Sequence, residues 1–394
     1  MVTQSIKPGY KQTELGIIPE DWKIKKLGEV ANIYGGGTPS TRDPEYWNGS
    51  VNWFTPTEVG FKKYISSSLR KITKKGFEKS SAKLLPKESI LLTTRAGIGD
   101  LGILLEEGCT NQGFQSFVVN REISTEFLYY LLITIKKILI MNASGSTFLE
   151  ISSSKIKNID IIVPDYAEQS AIASVLSDTD ALIKSLDKLV EKKKAIKQGA
   201  MQQLLTGKKR LPGYKGEWKT QKLGQISEIK TGKKNNDDKL KDGAYPFFVR
   251  SQTVERINSY SYDGEAILVP GEGNIGSIFH YIFGKFDYHQ RVYKISDFHS
   301  DVNGKLIYFY MLQYFNLHAM KNSVKATVDS LRLPTFQEFE VLLPPSKEEQ
   351  NSIVKILSEM DLEIGELEQK LDKYKLIKQG MMQELLTGRI RLPC

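Results

Sequence analysis

The stretch that decides the fold occurs twice, as KQGAMQQLLTG at residues 197–207 and as KQGMMQELLTG at residues 378–388. The two copies are 181 positions apart. The same offset aligns residues 164–212 with residues 345–393 without a gap, and about half of the positions are identical. A repeat of this size within one chain indicates a duplicated structural unit.

Each copy predicts one long helix. The helix starts are capping-box patterns, formed by Asp165 with Glu168 and by Ser346 with Glu349, and each follows a proline. The glycine that ends each quoted stretch has the position of a C′ residue, and the basic residues that follow it suit a helix C-terminus.

The apolar residues between these ends alternate in spacings of four and three over about five heptads, which is typical of a coiled coil. Lysines interrupt the seam at Lys193, Lys197 and Lys378. At 1.5 Å per residue each helix is on the order of 60 Å long. Two such helices in one chain most simply pair with each other, and the domain-sized segment between them allows an antiparallel arrangement.

The remaining segments are related more loosely. PGYKQTELGIIPEDWKIKKLG (8–28) and PGYKGEWKTQKLG (212–224) share an opening, and LLTTRAGIGDLGIL (91–104) matches LVPGEGNIGSIFH (268–280) as strand, Gly-rich turn and strand. Short β-rich runs and a few helical stretches such as TEFLYYLLITIKKIL predict α+β domains.

We therefore predict an α+β chain with a pseudo-two-fold internal duplication, in which a long antiparallel two-helix coiled coil separates two globular domains. The predicted segments are a first domain at 1–163, a first helix at 164–212, a second domain at 213–344 and a second helix at 345–394.

Bulk properties narrow the class of protein. The net charge of +9 favours a polyanionic partner such as nucleic acid, although only as a weak indication. No apolar run reaches the roughly 18 residues that span a bilayer, and the N-terminus lacks a signal-peptide pattern, so we expect a cytoplasmic protein without membrane contact. The two cysteines and four histidines lack metal-ligand spacing, so we expect no metal and no cofactor.

Catalytic patterns are weak. GEGNIG (271–276) formally matches the dinucleotide-binding fingerprint, but Pro270 precedes it and the following segment predicts a strand, so a hairpin turn is favoured. No Asn/Asp-Pro-Pro-aromatic methyltransferase motif occurs. We expect a non-catalytic chain. A stand-alone nuclease or methyltransferase with an unrecognised site is the alternative, and a scaffold without DNA contact is a third.

The chain resembles, over essentially its full length, the specificity subunit of type I restriction–modification systems. YGGGTPSTRDPEYWNGSVNWFTPTEV (34–59) is similar to the opening of a target recognition domain, and the repeated KQGxMQxLLTGxxRLP helix supplies the second motif. The resemblance implies that two target recognition domains each bind one half of a bipartite site in double-stranded DNA. It also implies that the coiled coil sets the spacing, that two modification (methyltransferase) subunits are recruited, and that restriction subunits join the full complex. Because the 34–56 features have no clean copy in the second half, we expect an asymmetric site.

The predicted DNA contacts lie at the first Gly-rich turn, in the cluster that begins at His289, in the segments upstream of the two long helices and in the basic segment 61–83. A solvated surface is the alternative for the basic segment, and a turn between strands is the alternative for the His289 cluster. Arginine pairs bidentately with guanine, which makes an arginine at a turn a natural reader of bases. The base-readout candidates are Thr93, Thr94, Arg95, Ser146, Thr147, His289, Gln290, Arg291, Lys325 and Thr327. The phosphate-contact candidates are Lys62, Lys63, Arg70, Lys71, Lys74 and Lys75.

The quoted repeat also supplies the predicted docking surface for the modification subunits. A glycine costs about 1 kcal/mol in a helix interior relative to alanine, so its presence in both copies suggests close backbone approach by a partner helix. The partner-binding candidates are Gln198, Gly199, Met201, Gln379, Gly380 and Met382.

Overall fold

The computed structural model describes residues 6–95, 97–145, 149–322 and 330–393. It divides the chain into two compact units, the first made of residues 1–185 with 371–394 and the second of residues 186–370. The division into four segments predicted from the sequence stays a prediction, since each unit takes parts of both long helices.

The first unit combines twelve described strands with six helices. The strands are β1 (Tyr10–Thr13), β2 (Gly16–Pro19), β3 (Lys23–Lys26), β4 (Ala31–Gly35), β5 (Trp47–Phe54), β6 (Tyr64–Ile65), β7 (Arg70–Ile72), β8 (Ile90–Thr93), β9 (Leu101–Leu104), β10 (Gly108–Thr110), β11 (Phe114–Val119) and β12 (Asp160–Val163). The helices are α1 (Leu27–Val30), α2 (Lys74–Glu78), α3 (Thr125–Thr134), α4 (Lys136–Asn142), α5 (Ser153–Lys157) and the long α6 (Tyr166–Leu204), which ends in the second unit.

The second unit is built from eight described strands. They are β13 (Lys219–Lys222), β14 (Glu228–Thr231), β15 (Tyr245–Phe248), β16 (Val254–Ile257), β17 (Tyr262–Pro270), β18 (His280–Tyr288), β19 (Val292–Ser296) and β20 (Glu340–Leu343). Its helices are α7 (Leu223–Ile226), α8 (Gly304–Asn322), α9 (Leu333–Gln337) and the long α10 (Lys347–Leu385), which ends in the first unit.

Each unit is organised around one main sheet. In the first unit five strands have the order β4-β11-β8-β9-β6, and a second sheet has the order β10-β5-β7. In the second unit six strands have the order β14-β19-β17-β18-β15-β16. Neighbours in the two main sheets are antiparallel, except that β6 pairs with β9 and β15 with β18 in parallel. The α+β prediction is therefore confirmed.

Both Gly-rich turns connect antiparallel neighbours. β8 pairs with β9, the next strand along the chain, and β17 pairs with β18 across the turn at 271–279. The second turn contains GEGNIG, in which Gly273 and Gly276 have φ values of +88° and +65°. Such angles suit glycine. The hairpin prediction is confirmed, and the strand–turn–helix setting of a dinucleotide site is missing here.

The ends of the long helices belong to the domain cores. In the first unit Ile172 and Leu176 of α6 and Leu385 of α10 are buried together with Trp22. In the second unit the core contains Leu204 of α6 together with Ile353 and Leu357 of α10. Burial of apolar surface contributes about 25 cal/mol per Å², and it therefore stabilises the packing of the helix ends in the domain cores.

The two long helices run antiparallel in each unit. In the first unit Asp180 forms an ion pair with Lys378 at 2.6 Å, and Thr179 contacts Met381. In the second unit three lysines of α6 pair with acids of α10. These pairs are Lys193–Glu363, Lys194–Glu368 and Lys197–Asp361. The lysines that interrupt the predicted seam are thus the residues that bridge the helices.

The helix ends confirm one prediction and correct another. Gly207 and Gly388 adopt φ values of +67° and +70°, as C′ residues do. Asp165 and Ser346 accept hydrogen bonds from the backbone amides of Glu168 and Glu349, at 2.8 and 3.1 Å, so they cap the helices.

The returning half of each capping box is wrong. The carboxylate of Glu168 accepts hydrogen bonds from Arg391 at 2.6 and 2.7 Å and from the Trp22 indole at 2.9 Å. The carboxylate of Glu349 accepts them from Arg210 at 2.9 and 2.7 Å. Leaving a buried carboxylate without a charged partner costs more free energy than leaving an exposed backbone amide uncapped. Each glutamate therefore pairs with an arginine and not with the helix start.

Candidate nucleic-acid interface

Three segments of the second unit converge at its Gly-rich turn. They are the residues after β15, the turn that contains Glu272, and the turn His289–Arg291 between β18 and β19. Backbone hydrogen bonds join them: Gly271 donates to the Arg291 carbonyl at 2.8 Å, and His289 donates to the Phe248 carbonyl at 2.9 Å. The turns are therefore positioned by the sheet.

Glu272 lies between two arginines. Its Oε2 accepts a hydrogen bond from Arg250 Nη1 at 3.1 Å, and its Oε1 forms an ion pair with Arg291 Nη1 at 3.4 Å. The arginine side chains are 42% and 53% exposed, whereas that of Glu272 is 25% exposed. Arg250 and Glu272 also line a surface pocket of about 350 Å³. One carboxylate, which is less exposed than its partners, thus holds two guanidinium groups at the surface.

The imidazole of His289 is buried beneath this cluster, at 4% exposure. Its Nδ1 accepts a hydrogen bond from the Arg291 backbone amide at 2.9 Å. Burial lowers the pKa of His289, and the nearby charge of Arg250 lowers it further. A neutral ring at neutral pH shapes the turn, whereas the exposed Gln290 amide donates to Asn235. Of the three predicted residues here, Arg291 is the one that presents a charge.

The cluster predicted at Thr93–Arg95 in the first unit consists of two buried threonines and one partly exposed arginine. Thr93 is fully buried, and its hydroxyl accepts a hydrogen bond from the Asp100 amide at 2.9 Å. Thr94 is also buried, and its Oγ1 has no partner among the described residues. Arg95 is partly exposed, with its Nε beside Gly113. The threonines shape the turn, and Arg95 is left as the candidate reader.

Four predicted base-readout residues lie outside the described part of the chain. They are Ser146, Thr147, Lys325 and Thr327.

The basic segment of the first unit divides into paired and exposed residues. Lys63 Nζ bonds Glu126, Tyr130 and Ser177 at 2.7, 3.0 and 2.8 Å, and its side chain is only 13% exposed. This geometry supports a structural role for that lysine. Lys62 is exposed.

The other basic residues of this segment lie along β7 and α2. The Arg70 guanidinium lies 3.7 Å from the centre of the Trp47 ring and 5.4 Å from that of Trp53. Lys71 is half-buried. Lys74 is exposed, 4.0 Å from Glu78, and Lys75 pairs with Glu45. An arginine stacked on an aromatic face keeps its edge donors available to an anion.

The predicted partner-binding residues also separate by burial. Met201 and Met382 are buried in the cores of the second and first unit, respectively. Gln198 is exposed and donates to Gln313 at 2.7 Å, and Gln379 is exposed. A Cβ added at Gly199 or at Gly380 would meet no atom within 4 Å.

Sequence reasoning missed Arg250 and Glu272. Arg250 follows a strand without any motif, and Glu272 is merely the variable position of a Gly-rich turn. Only the pairing of β15 with β18, and of β17 with both β18 and β19, brings them beside Arg291. The charges of Arg250 and Glu272 are visible in the sequence, but the sequence does not show which charged residues contact each other.

In each unit an α+β core contains the start of one long helix and the end of the other, and this arrangement defines the class of protein. The chain belongs to the family described as the type I restriction modification DNA specificity domain, whose model matches residues 19–198 and 215–374. It is the specificity subunit of a type I restriction–modification system, which recognises DNA sequence and is itself non-catalytic. This membership favours that function over a stand-alone nuclease or methyltransferase.

Individual proteins agree with the family. The chain is 27% identical to the type I restriction enzyme MjaIX specificity subunit of Methanocaldococcus jannaschii, over 97% of this chain and 96% of that one. It is 29% identical to the EcoR124I/EcoR124II specificity subunit of Escherichia coli over 45% of each chain. The fold matches the crystal structure of the type I S subunit from M. genitalium with a TM-score of 0.62 at 17% identity, covering 92% and 96% of the two chains.

Among the residues that the structure describes, no helix has the length and apolarity to cross a membrane. No group of three or more potential ligand side chains is arranged there to hold a metal ion.

Proposed function

We propose that the chain binds an asymmetric, interrupted site in double-stranded DNA, with one half-site contacted by each Gly-rich turn region. The proposal rests on the match of the family model to two segments of the chain, combined with polar groups that differ between the corresponding turn regions of the two units. The first unit offers Arg95 above two buried threonines, whereas the second offers Arg250 and Arg291 around one carboxylate. Different readers at related positions imply different half-sites.

The remaining predicted contacts supply affinity without sequence preference. Lys62, Arg70 and Lys74 are exposed in the first unit, and a lysine or arginine on a phosphate releases counterions. Each such contact lowers the slope of log K against log salt by about 0.9. We propose Lys71 and Lys75 as weaker contacts, because the first is half-buried and the second is paired with Glu45.

The experiment that tests this assignment compares binding to duplexes in which each base pair of the site is replaced in turn. The site itself comes from mapping methylated motifs in cells that express the complete system. We expect R95A to relax discrimination in one half-site and R291A to relax it in the other, by about 1–3 kcal/mol each. K62A serves as the control, because it should weaken binding to all duplexes alike. If R95A and R291A relax the same half-site, the assignment of one half-site to each unit fails.

The exposed faces of α6 and α10 around Gly199 and Gly380 are the proposed docking surfaces for two modification subunits, with restriction subunits joining the full complex. Open space at both glycines shows that pairing within the chain does not require them. Both copies of the repeat nevertheless keep this glycine at a cost of about 1 kcal/mol, whereas Gly365 corresponds to Lys184 in the first copy, so the shared pair points to an external helix that approaches closely. Because the proposed ligand is DNA, we propose that the protein acts in the cytoplasm.

Gly365 offers a matched control for this docking surface, since it is also open and lies within α10. We expect G199L/G380L to abolish co-elution with the modification subunit in gel filtration, whereas G365L should assemble normally. Normal assembly of G199L/G380L would contradict the proposal.

A further inference from the structure

The carboxylate of Glu272 has no role in the functions assigned above. We propose that Glu272 is a positioning residue that holds Arg250 and Arg291 as a pair of guanine-reading side chains. This inference rests on the proposed function of the second unit, and it adds Arg250 to the readers predicted from the sequence.

The contacts of the cluster leave the arginines able to bind bases. A guanidinium carries five N–H donors, and each arginine is held through Nη1. No other side-chain hydrogen bond of either guanidinium is seen among the described residues. Two further donors on each group are enough for the fork that matches the O6 and N7 acceptors of guanine.

A purely structural role for the ion pairs is the competing explanation. The three segments are already joined by backbone hydrogen bonds, including Gly271 to Arg291 at 2.8 Å and His289 to Phe248 at 2.9 Å. The side-chain cluster is therefore not needed to hold the turns together. Exposed ion pairs of this kind also contribute little to stability.

The sign of the charge separates positioning from simple attraction. A carboxylate near the DNA backbone opposes binding to every duplex, because phosphates repel it. It benefits recognition only if it restricts long side chains to one orientation before binding. Glu272 therefore lowers affinity for nonspecific DNA and raises the ratio of specific to nonspecific affinity.

The test uses the full chain purified with its modification subunit, together with fluorescent duplexes that carry the mapped site or a scrambled sequence. We expect E272Q to bind the scrambled duplex more tightly than the wild type does. The ratio of specific to nonspecific affinity should decrease by about 5- to 150-fold. With duplexes in which single base pairs of the site are replaced, the loss should be confined to G·C pairs of one half-site, which a general structural defect would not produce.

Glu255 provides a matched control, since it lines the same pocket but pairs with Lys239 at 3.0 Å. E255Q removes the same charge, so it should raise affinity for both duplexes and leave their ratio unchanged. R250K keeps the positive charge but removes the fork, so the ratio should fall while scrambled-duplex affinity stays constant. If E272Q does not fold, R250K still tests whether Arg250 reads bases, which the positioning role of Glu272 requires.

The outcomes are distinguishable. An unchanged ratio in R250K, or equal effects of E272Q and E255Q, would overturn the positioning role while leaving DNA recognition intact. A wild-type complex that binds both duplexes equally would overturn the proposed function and the inference with it.

Discussion

The buried pair of Glu168 and Arg391 joins the start of α6 to the chain segment that follows α10, and breaking it should loosen the first unit. The Glu168 side chain is 2% exposed and that of Arg391 is 37% exposed. We expect R391M to destabilise this unit, because the carboxylate is left buried with the Trp22 indole as its remaining donor.

The magnitude follows from the exposure. Removing one partner of a fully buried ion pair costs about 3–5 kcal/mol. Because a third of the Arg391 side chain is exposed, water can partly replace it, and we reduce the expected loss to about 2–3 kcal/mol. Arg391 also forms an ion pair with Asp21 at 2.8 Å. This second pair contributes little to the stability of the unit because Asp21 is exposed.

Hydrogen exchange measured by mass spectrometry provides the assay, because it reports on the amides of β8 and β11 separately from the rest of the chain. A loss of 2–3 kcal/mol corresponds to exchange about 30- to 150-fold faster in the slowest of these amides. R389M is the control, because the Arg389–Glu384 pair is exposed at 3.5 Å and should change little.

The double variant E168Q/R391M removes the buried charge but keeps an acceptor for the indole. We expect it to be more stable than R391M, since an unpaired buried charge is the main cost. Exchange in R391M within threefold of the wild type, or a double variant no more stable than R391M, would refute the reasoning.

Three further predictions concern single residues. G388A should cost more than G207A in thermal unfolding, since both adopt positive φ but only at Gly388 would a Cβ lie 2.6 Å from a proline ring; equal losses would contradict this. Y130F should cost about 1.5–3 kcal/mol in urea unfolding, because its hydroxyl donates to the Asp180 carboxylate at 2.7 Å. Burial lowers the pKa of His280, so the unfolded chain binds the proton first and stability should fall as pH drops below about 6.5; H280Q should flatten that slope.

The helical half of the fold could be predicted from the sequence because its signals are local. The apolar periodicity, the N-cap residues Asp165 and Ser346 and the C′ glycines each act within a few residues of the chain, so spacing alone reveals them. The internal repeat adds the antiparallel partner, and the strand–turn–strand patterns supply the two hairpins.

The roles of Glu168 and Glu349 could not be predicted in this way. The capping-box pattern assigned both carboxylates to the helix start, whereas burial against Arg391 and Arg210 redirects them. A local pattern does not record how deeply a side chain is buried, and the desolvation cost of a carboxylate decides its partner.

The candidate site shows the same division. The sequence by itself determined that Arg95 stands at a Gly-rich turn and that Arg291 stands in a short turn between two strands. Only the tertiary structure decided that Arg250 joins Arg291 around Glu272, and that Lys63 is held by Glu126. The physical reason is that electrostatic interactions act over a few ångströms of space, whereas strand order sets which distant residues come within that range.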